Sequence, residues 1–93
     1  LMRSRYSAYA LRDVPYLLAT WHPSTRPIEL SLEPGVKWLG LEVRRQHVIG
    51  PDSAEVEFVA RQRDPSGRAH RLHERSRFVR EQGRWLYVDG KIG

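Results

Sequence analysis

Three short turn sequences divide the second half of the chain, and they constrain its fold more than any other feature. The segments between them alternate apolar and polar residues, the pattern of strands with one buried face. Turns this short join neighbouring antiparallel strands, so we predict a four-stranded meander. The turns are GPDS at 50–53, DPSG at 64–67 and QG at 82–83. The predicted strands cover residues 36–48, 54–63, 68–80 and 85–88.

Two helices are predicted before the strands. The first is amphipathic, because apolar residues recur at helical spacing, namely Met2, Tyr6, Tyr9 and Ala10. Asp13 is a suitable N-cap for the second helix, and Pro15 is tolerated in its first turn. Its predicted apolar face consists of Leu17, Leu18 and Trp21. Pro23 ends it, since the residue before a proline avoids helical geometry.

The order of these elements predicts an α+β fold. Residues 24–34 form a connector in which Ile28, Leu30 and Leu32 alternate, so part of it is expected to be extended. Two helices followed by a meander bury one face of the sheet under the helices. The 93 residues are predicted to form a single domain.

Nine aromatic residues are available for the core of this small domain. Trp21 and Trp85 both belong to apolar patterns, and we predict that both anchor the core. The chain has no Cys, which is typical of the reducing cytosol and predicts a cytoplasmic location. No apolar run reaches the ~18 residues of a membrane helix, so no membrane association is expected.

The net charge of +5 lies in one segment. Residues 61–84 carry eight Arg and three acidic residues. On one face of the third strand the alternation collects His73, Arg75 and Arg77, with Arg61 on the neighbouring strand. This face could bind nucleic acid phosphate or an acidic protein. The more common interpretation of such a face is a solvated surface on which cations pair with acidic residues of the adjacent strand.

The other face of the third strand combines apolar and polar residues, in the order Leu72, Glu74, Ser76 and Phe78. The two apolar residues indicate that this is the core face. Since a buried carboxylate needs a partner, we predict that Glu74 pairs with a basic group of the helical segment, most readily Arg5 or His22. One interpretation is an ion pair that joins helix to sheet, and the other is a polar pocket.

The sequence contains no recognisable motif for a metal site or for a catalytic nucleophile. His70 and His73 lie three apart, which places them on opposite faces of a strand. There is no Cys, HExxH sequence or glycine-rich phosphate loop, and Ser76 lacks a GxSxG context. We therefore predict no metal and no cofactor. His22, next to Trp21, could act as an acid or base, or could cap the second helix.

Several phrases of the sequence resemble the YchJ family of small bacterial proteins, and the resemblance covers nearly the whole chain. The phrases are RSRY near the start, then TWHP, HERSRF and the final WLYVDG. The resemblance implies a nuclear-transport-factor-2-like cone, a curved sheet wrapped around helices. Many family members flank this domain with Cys-rich SEC-C motifs, which these 93 residues lack. The family offers no assigned catalytic residues to transfer.

The leading functional hypothesis is a non-catalytic binding or accessory module with a small polar pocket. The candidate ligand-binding residues are Arg5, Trp21, His22, Glu74 and Arg77. The expected partner is a small polar ligand or an acidic protein, and the sheet is a candidate homodimer surface. The alternatives are an isomerase- or hydrolase-type enzyme with Glu74 and His22 as its acid–base pair, and a nucleic-acid or ribosome-associated module. A cavity of ~300 Å³ or more where Glu74 and His22 converge would favour the ligand or enzyme hypotheses.

Overall fold

The computed structural model describes residues 1–92. Two short helices precede four strands, and the strands form one antiparallel sheet in the order β1-β2-β3-β4. The α+β architecture and the meander are therefore confirmed. No helix among the described residues is long and apolar enough to cross a membrane. The elements are α1 Met2–Leu11, α2 Val14–Ala19, β1 Lys37–Gly50, β2 Ser53–Arg63, β3 Ala69–Glu81 and β4 Arg84–Ile92.

Helix α1 buries residues that the apolar pattern did not select. Arg5 and Ala8 are its buried residues, whereas Ala10 is exposed and Tyr6 and Tyr9 are half-buried. The prediction placed the core stripe on the aromatic side chains. In the structure those rings stand over an open part of the sheet, and the side of the helix that carries Arg5 faces α2.

Helix α2 begins as predicted and ends earlier. The Asp13 side chain accepts a hydrogen bond from the Tyr16 backbone N–H at 3.2 Å. The helix stops at Ala19, so Trp21 lies beyond it rather than on its apolar face. The chain turns because its backbone pairs with the edge of β4, where Tyr87 donates to Thr20 and accepts from the His22 N–H. Helix α2 thus ends at these hydrogen bonds to β4 and not at Pro23, which was predicted to end it.

The extended piece predicted in the connector does not form. Residues 24–34 contain no strand, and Ile28 is fully exposed. Alternation alone does not make a strand when no neighbouring strand offers hydrogen bonds.

All three predicted turns join neighbouring strands. In the second turn the Asp64 carboxylate accepts hydrogen bonds from the Ser66 and Arg68 backbone N–H groups, each at 3.0 Å. In the third turn Gln82 and Gly83 both have positive φ, 51° and 75°, as two-residue hairpin turns require. Strand β4 is longer than predicted, because it continues to Ile92.

A bulge in β1 changes the predicted core face of that strand. The pairing with β2 shifts between Trp38 and Gly40, so Leu39 leaves the alternation and is 49% exposed. Trp38 takes the inner position instead and packs against the Tyr6 and Tyr9 rings, with centroids 5.8 Å apart in each pair. Strict alternation would have kept Leu39 on the same face as Leu41, but a bulge reverses the side-chain alternation.

The buried apolar side chains come from the two helices and from the middle of β2 and β3. Leu17 of α2 is fully buried. Trp85 lies outside the core, because it stands on the edge strand, half-buried, under the Arg80 guanidinium at 5.4 Å. The prediction that Trp85 anchors the core is wrong. The buried apolar side chains are Ala8, Leu17, Phe58, Val59, Ala60 and Phe78.

Candidate functional site

A cavity of about 200 Å³ opens between α1 and the inner face of the sheet. Its walls are largely aromatic, because the short helices leave the rings of α1 and β1 to cover this part of the sheet. Two charged side chains, Arg5 and Glu74, also line it. The remaining lining residues are Met2, Tyr6, Tyr9, Trp38, Phe58, Ala60, Leu72, Ser76 and Tyr87.

Arg5 is a buried cation with an unusual set of partners. Its side chain is 2% exposed, and Nη1 donates to the Leu17 carbonyl at 2.9 Å and to Thr20 Oγ1 at 2.6 Å. The guanidinium carbon lies 4.5 Å from the centre of the Tyr87 ring and 5.2 Å from that of Trp21. These contacts fix the plane of the guanidinium, so it is held in place before any ligand arrives.

No carboxylate neutralises Arg5 within the described residues. The ion pairs with N···O distances up to 4.0 Å do not include it. Burial lowers the Arg5 pKa, and the neighbouring Tyr9 partly opposes this shift. The Tyr9 side chain lies close enough to interact with the guanidinium, but the well-aligned hydrogen bonds of Arg5 are the two that Nη1 donates. The cation therefore has one satisfied edge and one edge available to an acceptor.

Glu74 lies on the inner face, as the alternation predicted, but its predicted partner is wrong. Its Oε2 accepts a hydrogen bond from Ser76 Oγ at 2.6 Å, and no Arg5 or His22 nitrogen lies within 4.0 Å of it. The carboxylate rests over Gly90 of β4, where any Cβ would overlap it. Because Gly90 has no side chain, the Glu74 side chain can lie along the sheet at this point, and its carboxylate does not reach the Arg5 guanidinium.

The electrostatic influence of both groups extends to two tyrosines. The Tyr87 pKa is raised to about 12, first by burial and then by the nearby Glu74 charge, while Arg5 opposes the shift. Burial likewise raises the Tyr9 pKa. The nearby Glu74 charge raises it as well, and Arg5 lowers it. Both hydroxyls therefore stay protonated at neutral pH and can donate hydrogen bonds to a bound molecule.

We expect Tyr87 to make the protein less stable at alkaline pH. Its pKa is near 10 in the unfolded chain and about 12 in the folded protein. The unfolded state therefore loses this proton first, so the free energy of unfolding should fall as pH rises from about 10 to about 12. Urea unfolding measured across this range should show the decline, and Tyr87→Phe should reduce it.

Tyr16→Phe is the matched control for this measurement. Tyr16 donates its hydroxyl to Ser4 outside the cavity. The control should keep the full alkaline decline. An equal decline in the Tyr87→Phe variant would contradict the environment assigned to Tyr87.

A comparison with known families decides the identity of this domain. The profile described as "YchJ, middle NTF2-like domain" matches residues 1–90. This chain belongs to the YchJ family. The predicted resemblance and its cone fold, named after nuclear transport factor 2, are confirmed.

Relatives of this YchJ domain carry the name UPF0225 protein. The chain is 66% identical over 93 residues to the one from Methylibium petroleiphilum and 68% identical over 90 residues to the one from Polaromonas naphthalenivorans. It covers 99% and 97% of its own length in these matches and spans 68% and 65% of the two relatives. The YchJ domain thus corresponds to about two thirds of their length.

A solved structure has the same fold as this YchJ domain. It is the solution structure of a SEC-C motif containing protein from Rhodopseudomonas palustris, with a TM-score of 0.85 and 34% sequence identity. The match covers 97% of this chain and 73% of the other.

His22 lies away from the cavity of the YchJ domain. Its Nε2 is 2.8 Å from Glu81 Oε1, and its Nδ1 is 2.7 Å from Ser24 Oγ. His22 therefore binds the end of β3 and does not cap α2, whose C-cap is Thr20. The predicted acid–base pair of Glu74 and His22 is not formed, because the backbone pairing with Tyr87 directs His22 to the hairpin end of the sheet.

The Arg-rich face is the outer face of the sheet, as predicted. Arg77 donates from Nε and Nη2 to the two Asp89 oxygens at 2.7 and 2.6 Å, and His73 lies 2.6 Å from Glu57. Arg77 is therefore remote from the cavity, and the structure does not bring it together with Arg5 or Glu74. Asp89 was missed as its partner because the bulge in β3–β4 pairing sets their register.

The sequence-based site included none of the five aromatic residues that line the cavity, among them Tyr9, Trp38 and Tyr87. Tyr9, Trp38 and Tyr87 were assigned to helix or strand patterns, and nothing in those patterns separates a pocket wall from a core. The one usable signal was the two-residue spacing of Trp85 and Tyr87, which places both rings on the same face of β4. Trp21 does not line the cavity itself but packs against two residues that do, Tyr87 at a centroid distance of 5.0 Å and the Arg5 guanidinium at 5.2 Å.

Proposed function

We propose that this YchJ domain is a binding module that holds a small polar molecule in the cavity and performs no reaction itself. The observation that carries the proposal is the open edge of Arg5. A buried guanidinium without a carboxylate partner is costly, and a cavity beside it gives a ligand access. Arg5 and Glu74 are its proposed polar contacts.

The size of the cavity supports a small ligand. Pockets for drug-sized molecules are commonly ~300–1,000 Å³, and this one is about 200 Å³. It falls below the ~300 Å³ that, together with convergence of Glu74 and His22, would favour a ligand or enzyme site, so it suits only a ligand smaller than drug size. Since His22 pairs with Glu81 instead, the binding hypothesis accounts for the cavity better than the enzyme hypothesis.

Glu74→Gln is the variant that separates a ligand-binding role from a structural one. No cation is left unpaired by this change, and the Ser76 hydroxyl can still donate to the amide oxygen. We expect the melting temperature to hold or rise, because a half-buried charge is removed. We also expect the variant to lose most of any ligand-induced increase in melting temperature.

The measurement is a thermal-shift screen of small metabolites against the wild type and two variants. Glu81→Gln is the matched control, since Glu81 lies on the same strand and pairs with His22 at the surface. It should respond to ligands as the wild type does. A Glu74→Gln variant that melts far below the wild type would show a structural role, and a screen without any hit at millimolar concentration would overturn the proposed function.

Two expectations from the sequence complete the proposal. We place the domain in the cytoplasm, since its cysteine-free composition suits a reducing compartment. Fractionation of cells that express the tagged parent protein tests this location. We also propose that the 93 residues form one folding unit, in which case urea unfolding should show a single transition by fluorescence and circular dichroism.

A further inference from the structure

We infer that the ligand is a small zwitterion, a molecule that carries a carboxylate and an ammonium group on an apolar body. This inference rests on the proposed binding function and specifies its ligand class. It follows from the two opposite charges that line the cavity, from the absence of an ion pair between them and from the aromatic residues of the cavity wall.

The carboxylate end is assigned to Arg5. The Nε and Nη2 atoms of an Arg side chain form the edge that binds a carboxylate with two parallel hydrogen bonds. Arg77 binds Asp89 through these same two atoms on the outer face. In Arg5 no carboxylate of residues 1–92 occupies this edge and Tyr9 is a neighbouring hydroxyl, while Nη1 and the ring contacts hold the guanidinium in place. A ligand carboxylate would find a fork that needs little reorganisation.

The ammonium end is assigned to Glu74. Ser76 donates to Oε2, and Oε1 makes no hydrogen bond within residues 1–92. A ligand ammonium would supply both the missing donor and the missing positive charge. The neighbouring faces of aromatic rings favour a cation in addition.

The charge balance of the cavity selects a zwitterion over a simple anion. Arg5 and Glu74 contribute one positive and one negative charge, and their N and O atoms are more than 4.0 Å apart. An anion bound to Arg5 would leave the Glu74 charge uncompensated. A cation bound to Glu74 would leave the Arg5 charge uncompensated. A molecule with both charges pairs each group without adding net charge to a poorly solvated site.

The walls select the body of the ligand. Tyr6 and Tyr9 both contact Trp38, and together these rings present apolar surface in the cavity that the two charged groups also line. An aromatic or branched apolar body fills such a space better than a polar one.

The experiment compares zwitterions with analogues that lack one charge. One set is 4-(aminomethyl)benzoate, 4-methylbenzoate and benzylamine. The other is L-phenylalanine, N-acetyl-L-phenylalanine and L-phenylalaninamide, whose charges are closer together. Isothermal titration at pH 7 should show that at least one zwitterion binds about tenfold or more tightly than both of its analogues, since each charged contact is lost separately. The Arg5 Nε–H resonance should shift on binding of the zwitterion.

Two variants locate the ammonium contact. In Glu74→Gln the zwitterion should bind no more tightly than its anion-only analogue, because the amide cannot form the ion pair. Glu81→Gln should preserve the wild-type difference. These readouts do not depend on any activity of the protein.

The outcomes separate this inference from the proposed function. If a singly charged analogue binds as tightly as its zwitterion, or if neither set binds while the metabolite screen yields a different ligand, the zwitterion class is wrong and the binding function stands. If neither set nor the screen produces binding, both are overturned.

Discussion

Arg5→Ala is expected to lower the free energy of unfolding by about 3–5 kcal/mol, because it removes a buried cation that joins α1 to α2. The change removes the shorter of the two hydrogen bonds to the Leu17 carbonyl, the other coming from the Thr20 hydroxyl at 3.3 Å, and deprives Thr20 Oγ1 of a donor. It also removes the side-chain stem and the stacking on Tyr87. Urea unfolding followed by tryptophan fluorescence measures the loss.

Arg5→Met separates packing from hydrogen bonding in this experiment. Methionine keeps a long flexible side chain and removes a charge whose burial is costly, so the loss should be smaller, about 1–2 kcal/mol. A midpoint of unfolding in Arg5→Ala that equals that of the wild type would show that Arg5 does not hold the helices together. Such a result would also remove the rigid guanidinium on which the proposed ligand contact depends.

Trp21→Ala is expected to lower the free energy of unfolding by about 3 kcal/mol, whereas Trp85→Ala should cost about 1 kcal/mol or less. Trp21 packs edge-on against Tyr87 and beneath the Arg5 guanidinium, so its removal opens space where α2 meets β4. Trp85 lies on the edge strand under the exposed part of Arg80. The same urea titration measures both variants.

Trp21→Phe is the matched control for the alanine variant. The Trp21 Nε1 atom is buried and has no hydrogen-bond partner within the described residues. Phenylalanine removes this unsatisfied donor and keeps an aromatic ring, so the variant should lose much less stability than Trp21→Ala. Equal losses for Trp21→Ala and Trp85→Ala would contradict the packing described for these two side chains.

The sequence predicts the sheet well because its signals are local. The turn at 64–67 is built by Asp64, which receives hydrogen bonds from residues two and four positions later. The turn at 82–83 depends on the positive φ of two adjacent residues. Where a rule of this kind depends on a partner strand, it fails, as the bulge at Leu39 and the connector around Ile28 show.

The candidate site shows the same division. Alternation placed Glu74 on the inner face and Arg77 on the outer face, since a strand assigns faces by counting residues. It could not supply their partners. Gly90 decides where the Glu74 carboxylate lies, and Glu81 holds His22 away from it. These contacts join residues that are far apart in the chain.

By itself, the sequence determined the order of helices and strands, the antiparallel meander, the membership of the family and the inward position of Glu74. Turn chemistry and the two-residue period of a strand act over a few neighbouring residues, so they can be read without coordinates. The tertiary structure alone decided that Arg5 is buried without a carboxylate partner and that it lines one aromatic-walled cavity together with Glu74. Those features depend on how two short helices lie over a curved sheet, and that placement is set by long-range contacts between Arg5, Thr20 and Tyr87.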